Sequence, residues 1–169
     1  LFDAAQVPYP EDHMSWDQIY DLARQLSSGE GTERIYGLSF GYSLDQYLFL
    51  QAAQRDLTLV SDDLKTVTLD TPEWRQVWEE GKALVEEGVI WNRSAFEDKI
   101  IEETDHGPAF YEPFIAGKVA MELRDSYSIN NLDQEFTWYG DDVKPFEWDL
   151  VTLPTQANNP GYGGMMMVN

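Results

Sequence analysis

Apolar positions recur along this chain in two periods, one helical and one extended. Trp16, Ile19, Tyr20, Leu22, Ala23 and Leu26 fall on one helical stripe, and Ser15 with Gln18 three residues on gives a capping-box start. Thr71-Pro72-Glu73 opens a second helix, with Thr at the N-cap, Pro at the first helical position and an acid near the positive end of the dipole. Trp74, Val77, Trp78, Gly81, Leu84 and Val85 repeat at helical spacing until Gly88 ends it, which makes both tryptophans core anchors by expectation. Helices are also expected over Leu44 to Ala53 and Glu112 to Ala116. Leu1 to Ala5 reads as the end of another, before the prolines of Val7-Pro8-Tyr9-Pro10 force an extended connection.

Short apolar runs between turn residues predict strands over Ile35 to Phe40, Val119 to Leu123 and Glu147 to Leu153, and a last one from Met165. Thr58-Leu59-Val60 and Thr66 to Leu69, flanking Ser61-Asp62-Asp63, suggest a surface hairpin. Strands alternating with helices imply an α/β layer architecture, with no internal repeat and no low-complexity linker. The 169 residues are enough for one domain with one core.

Charge changes the list of partners. Eleven Lys and Arg against 31 Asp and Glu give a formal net charge of −20, which opposes nucleic acid and anionic lipid surfaces. With 43% hydrophobic residues the chain is still a folding sequence and not an acidic tail. There is no cysteine, and His13 and His106 are the only histidines, so thiolate chemistry, disulfides and His-rich or Cys-ligated metal sites are excluded. Acidic stretches at Ser61-Asp62-Asp63 and Gly140-Asp141-Asp142 leave a calcium site open, without an ordered ligand spacing to point to one. No metal or cofactor is expected. No apolar run is long enough to span a bilayer. The chain begins at Leu1 and stops in an apolar run, Met165 to Asn169, and both ends are expected to be cuts.

In open α/β sheets ligands sit beyond the carboxyl ends of strands. Two segments occupy such positions: Gly41-Tyr42-Ser43-Leu44-Asp45-Gln46-Tyr47 and Arg124-Asp125-Ser126-Tyr127-Ser128. Each mixes aromatic faces with short polar groups, a combination that suits a neutral polyhydroxylated ligand: rings stack on its apolar face while Asp, Gln, Arg and Ser exchange hydrogen bonds with its hydroxyls. The candidate contacts are therefore Tyr127, Asp125, Arg124, Tyr42, Asp45 and Gln46. The structural alternative is that the tyrosines cap the sheet, while Arg124 and Asp125 satisfy each other or a helix end. Arg124 could equally serve a ligand carboxylate. Asp45 and Asp125 are the one acidic pair at strand ends, which keeps glycoside hydrolysis open, and a surface adhesion domain is a third class. Neither a Gly-x-Ser-x-Gly elbow nor a phosphate-binding Gly-x-x-x-x-Gly-Lys loop is present, so catalytic residues are expected to be absent.

The order of segments resembles the family of extracellular solute-binding proteins of ABC importers that includes maltose-binding protein. Leu1 to Pro8 resembles the entry into the second, carboxy-terminal lobe, though Gln6 stands where glycine is usual, and Ser15-Trp16-Asp17 resembles the helix start after it. Phe114-Ile115-Ala116-Gly117-Lys118-Val119-Ala120-Met121 matches the family's most recognisable block; Trp148 to Pro154 and then Gly163-Gly164 complete the order. The resemblance implies one lobe, residues 1–169, of a type II periplasmic-binding-protein fold, a central mixed sheet flanked by helices, with 165–169 starting the strand that crosses the hinge. It places Tyr127 where the family carries a sugar-stacking aromatic, supports the Tyr42 to Gln46 loop, and makes Gly163 and Gly164 hinge-side glycines of the site. It further implies a monomer that binds a small solute, carbohydrate above all, in a cleft of which this chain holds half. Delivery would be to an ABC permease in the membrane, from a lipoprotein-anchored extracellular or a periplasmic position.

Overall fold

The computed structural model of the chain describes residues 1–41, 44–92, 112–124, 129–156 and 165–169. Within them the helices begin where the caps stand. Helix α1 (Phe2–Ala5) is a single turn, closed by Gln6 in the left-handed region. In α2 (Trp16–Leu26) the Ser15 hydroxyl accepts from the Gln18 amide at 3.3 Å, while the Gln18 side chain accepts from the Ser15 amide at 2.9 Å. Two donors otherwise orphaned at the helix start are thereby satisfied. Strand β1 (Tyr36–Ser39) follows, then α3 (Leu44–Gln54), and α4 (Pro72–Glu86), whose first turn is capped by the Thr71 hydroxyl.

Strand β2 (Ile90–Trp91), β3 (Val119–Leu123), α5 (Leu132–Tyr139), β4 (Asp149–Thr152) and β5 (Met165–Val168) complete the elements. The five strands form one sheet in the order β2-β1-β3-β5-β4. β1 runs parallel to both β2 and β3, and β5 lies antiparallel between β3 and β4. A mixed sheet flanked by helices, as expected, is what forms. The free edge of β4 is covered by the residues before α2: the Thr152 amide donates to Asp12 at 2.8 Å, and the His13 amide to the Thr152 hydroxyl at 2.7 Å.

Apolar side chains divide between the two faces. On one, Phe2, Trp16, Ile19, Leu38, Phe40, Tyr47, Val77, Met166 and Val168 join α1 to α4 to the sheet; on the other, Trp91, Phe114, Val119, Leu132, Phe136 and Met167 pack beneath α5. The alternation of Met166, Met167 and Val168 between the clusters is the period-two signature of a strand buried on both sides. Gly37 lets α2 rest directly on β1: a Cβ there would lie 2.1 Å from the Ala23 carbonyl oxygen.

Two expectations need correction. Glu112 to Ala116 is not a helix but a single turn, in which the Ala116 amide reaches Glu112 O at 3.0 Å before Gly117, at φ +67°, reverses the chain. Trp78 is not a core anchor, being 51% exposed where Trp74 is 2% exposed. At 100° per residue Trp78 stands roughly 40° past Trp74, on the far side from Val77, Gly81 and Leu84. The expected surface hairpin forms in small: Val60 bridges Val67 antiparallel, with the Ser61 amide donating to Thr66 O at 2.9 Å and the Thr68 amide to Leu59 O at 3.0 Å. Strand β2 and helix α5 were not anticipated: two residues are too few for a period, and α5 carries its buried positions, Leu132, Glu135 and Phe136, with an acid among them.

Candidate functional site

The parallel register of β1 and β3 pairs Ser39 with Glu122, so both strands end at the same level of the sheet. Gly41 and Arg124, the first residues of the two segments singled out above, therefore stand just beyond the ends of adjacent strands. Of the candidate residues, Arg124, Asp45 and Gln46 are described; Tyr42, Asp125, Tyr127, Gly163 and Gly164 lie outside the described residues. Asp45 and Gln46 occupy the exposed first turn of α3, and the Gln46 amide group comes back over Gly41.

Arg124 is drawn inward. Its Nε donates to Glu122 at 2.5 Å, one terminal nitrogen donates to Glu135 at 2.5 Å, and the other donates to Glu112. The side chains are 8% exposed for Arg124 and 2% for Glu122, so the pairs are shielded from water, and removing one partner would leave the others as uncompensated buried charge. Glu135 comes from α5, Glu112 from the turn before β3, and Glu122 from β3 itself. The second oxygen of Glu122 accepts from the Ser39 hydroxyl at 3.1 Å, and the Ser39 oxygen in turn accepts from the Gly41 amide at 3.1 Å. A continuous chain of hydrogen bonds, Gly41 to Ser39 to Glu122 to Arg124, thus joins the two candidate segments beneath the surface.

Electrostatics follow from burial. Loss of water pushes the Glu122 carboxyl up from its ordinary value, with Glu112 adding to the shift, while Arg124 and the Ser39 hydroxyl pull it back down. For Arg124 burial works against the charged form, but Glu122, Glu112 and Glu135 together outweigh it, and the guanidinium is held above its ordinary value. It stays a cation at any pH the fold survives.

Sequence reasoning had Arg124 but missed Ser39, Glu112, Glu122 and Glu135. One signal was available: an acid inside the apolar run Val119 to Leu123 is costly unless it is paired. A concavity of about 470 Å³ lies between α2 and α4, where Arg24 meets Glu87 at 3.0 Å and Arg55 meets Glu80. Its polar lining is explained by those ion pairs. Among the described residues no helix is long and apolar enough to cross a membrane.

No family model matches the chain, and no curated protein matches it. Solved structures do. A sugar transporter from Rhizobium etli, in an open conformation, superposes with a TM-score of 0.69 at 22% identity, covering 99% of this chain and 40% of that one. An ABC substrate-binding protein from Listeria monocytogenes, in complex with cycloalternan, superposes with a TM-score of 0.63 at 18% identity, covering 98% of this chain and 37% of that one. The chain spans about two fifths of the length of the solved structures it resembles. At these identities what is shared is the fold, a central mixed sheet flanked by helices.

Proposed function

We propose that this chain is one lobe of a two-lobed binding protein that captures a carbohydrate in the cleft between its lobes and presents it to an ABC permease. The observation that carries the reading is that β1 and β3, paired in parallel with Ser39 opposite Glu122, end side by side just before Gly41 and Arg124, at the carboxyl edge where α/β sheets hold ligands. The fold likeness to a sugar transporter and to a cycloalternan-bound substrate-binding protein supports it, and both of those are binders and not catalysts. On this reading Tyr127 is the stacking platform, Asp125, Tyr42, Asp45 and Gln46 are hydroxyl partners, and Gly163 and Gly164 lie on the hinge side of the site. Strand β5, the antiparallel member of the sheet, begins the crossing to the other lobe. The protein works as a monomer outside the cytoplasmic membrane, periplasmic or lipid-anchored. Because two lobes close on one solute, a single lobe holds it weakly.

The test is calorimetric titration of the two-lobed protein with a panel of neutral oligosaccharides, repeated with Tyr127→Ala. One member of the panel is expected to bind at micromolar or tighter, and loss of the ring to weaken it about tenfold or more. An unchanged affinity in Tyr127→Ala removes that residue from the site; no heat from any sugar sinks the carbohydrate reading.

A further inference from the structure

We propose that the hairpin from Thr58 to Thr68 is a docking knob, which seats the exposed Leu64 in an apolar pocket of the ABC permease ringed by basic side chains. It rests on the binding-protein reading and names the surface that meets the partner. Leucine is out of place at this position twice over. At φ +60° Leu64 stands in the left-handed region, where its Cβ crowds the backbone and Asn or Gly is favoured, and it is 81% exposed. Neither feature helps the lobe to fold, since the side chain buries little and its backbone is strained. A residue that the fold gains nothing from is the kind that a binding surface retains.

The turn beneath Leu64 is tied on every side. The Leu64 amide donates to Ser61 O at 2.8 Å, the Ser61 hydroxyl and the Lys65 amide donate to Asp63 at 2.7 and 3.2 Å, and the Thr66 amide donates to the Ser61 hydroxyl at 3.1 Å. The hairpin is fastened to α4 by the Trp74 indole N–H, which donates to Thr58 O at 2.9 Å. A side chain presented on a preorganised turn loses little freedom on binding, which is what an anchor requires. Apolar surface continues from the tip: Val60 and Val67, a bridged cross-strand pair, are 37% and 67% exposed, and Trp78 stands one turn beyond Trp74 on α4. Charge selects the occupant. Between Asp56 and Glu79 the two cations, Lys65 and Arg75, are paired with Asp63 at 3.6 Å and Asp70 at 3.0 Å, so the exposed Asp62, Glu73 and Glu79 set a negative rim. A second copy would bring that rim against itself, and an anionic lipid surface is repelled likewise, whereas a pocket ringed by Lys and Arg is attracted. In the binding-protein reading, the protein that must be met is the permease.

The experiment takes the two-lobed protein, loaded with its best-binding oligosaccharide, and the ABC permease encoded beside its gene, reconstituted in phosphatidylcholine liposomes, and reads stimulated ATP hydrolysis. Leu64→Asn is expected to raise the Tm by about 1–2 °C, because the left-handed turn suits asparagine, and to leave solute affinity unchanged by calorimetry. About tenfold more of that variant should be needed for half-maximal stimulation. Asp62→Lys should raise the half-maximal concentration about threefold at low salt, with the difference closing at high salt. Stimulation by Leu64→Asn that matches the wild type overturns the proposal. A fall in its Tm overturns it too, since another part of the protein then covers Leu64, and so does a wild type that binds sugar without stimulating hydrolysis. These three results leave solute binding standing, whereas a wild type that neither binds a sugar nor stimulates hydrolysis sinks both readings.

Discussion

Replacing Arg124 with methionine tests the electrostatics of the cluster without reference to any ligand. Methionine keeps much of the side-chain length but removes the cation, leaving Glu122, Glu135 and Glu112 facing one another at side-chain exposures of 2%, 12% and 17%. Breaking a buried ion pair by deleting one partner costs about 3–5 kcal/mol, because the remaining charge stays desolvated. Here three carboxylates lose the same partner, so the upper end of that range is expected at pH 8. For a domain of this size it corresponds to a fall in Tm of roughly 10 °C. The loss should shrink in acid. Without Arg124 to pull it down, the Glu122 carboxyl stays further above its unfolded value, so the folded state binds more protons, and stability falls as pH rises through that window.

The wild type shows a milder form of the same slope, since burial already lifts Glu122 in the presence of Arg124. The stability this group contributes is complete below its unfolded pKa and is lost as pH climbs through the raised one. Glu122→Gln should flatten that slope. Urea denaturation followed by tryptophan fluorescence, at pH 5 and pH 8, measures all three proteins. A deficit in Arg124→Met below about 1 kcal/mol at pH 8, or one as large at pH 5 as at pH 8, would refute the buried-charge account.

Two further predictions concern the scaffold that carries the site. Gly37→Ala places a Cβ 2.1 Å from the Ala23 carbonyl oxygen and 2.3 Å from its Cα, so α2 must lift off β1, at a cost of about 3 kcal/mol or more in urea unfolding. Gly117→Ala, at φ +67° but with open space around it, should cost only about 1–2 kcal/mol, and equal losses in the two would show that backbone strain, not the close approach, dominates. Trp74→Ala should lose about 3–5 kcal/mol, since the ring is buried and its indole N–H donates to Thr58 O at 2.9 Å, whereas Trp78→Ala should lose less than about 1 kcal/mol. Comparable losses from both would place Trp78 back in the core.

What the sequence disclosed follows from which interactions are local. The caps of α2 and α4 were legible because each is a bond between residues three apart, Ser15 with Gln18 and Thr71 with Trp74. Strands β1, β3, β4 and β5 were legible as apolar runs between breakers. Trp78 was misplaced because a helical stripe has edges, and sequence spacing does not say how wide the covering surface is. β2 was missed because its two residues owe their conformation to β1, through the pairing of Leu38 with Ile90 and Ser39 with Trp91, and not to anything in their own neighbourhood.

The candidate site divides in the same way. Arg124, Asp45 and Gln46 were named from position alone, because strand ends can be counted along the chain. Its buried supports could not be: Ser39, Glu112, Glu122 and Glu135 are brought together over separations of 83 residues for Ser39 and Glu122, 12 for Arg124 and Glu112, and 11 for Arg124 and Glu135. What assembles them is the parallel register of β1 on β3, which sets Ser39 opposite Glu122, and the packing of α5 through Leu132 and Phe136, which brings Glu135 to Arg124. A lone acid in an apolar strand is therefore better read as a demand for partners than as an exposed face. In this chain that demand is met by the arginine two residues on, together with the Ser39 hydroxyl.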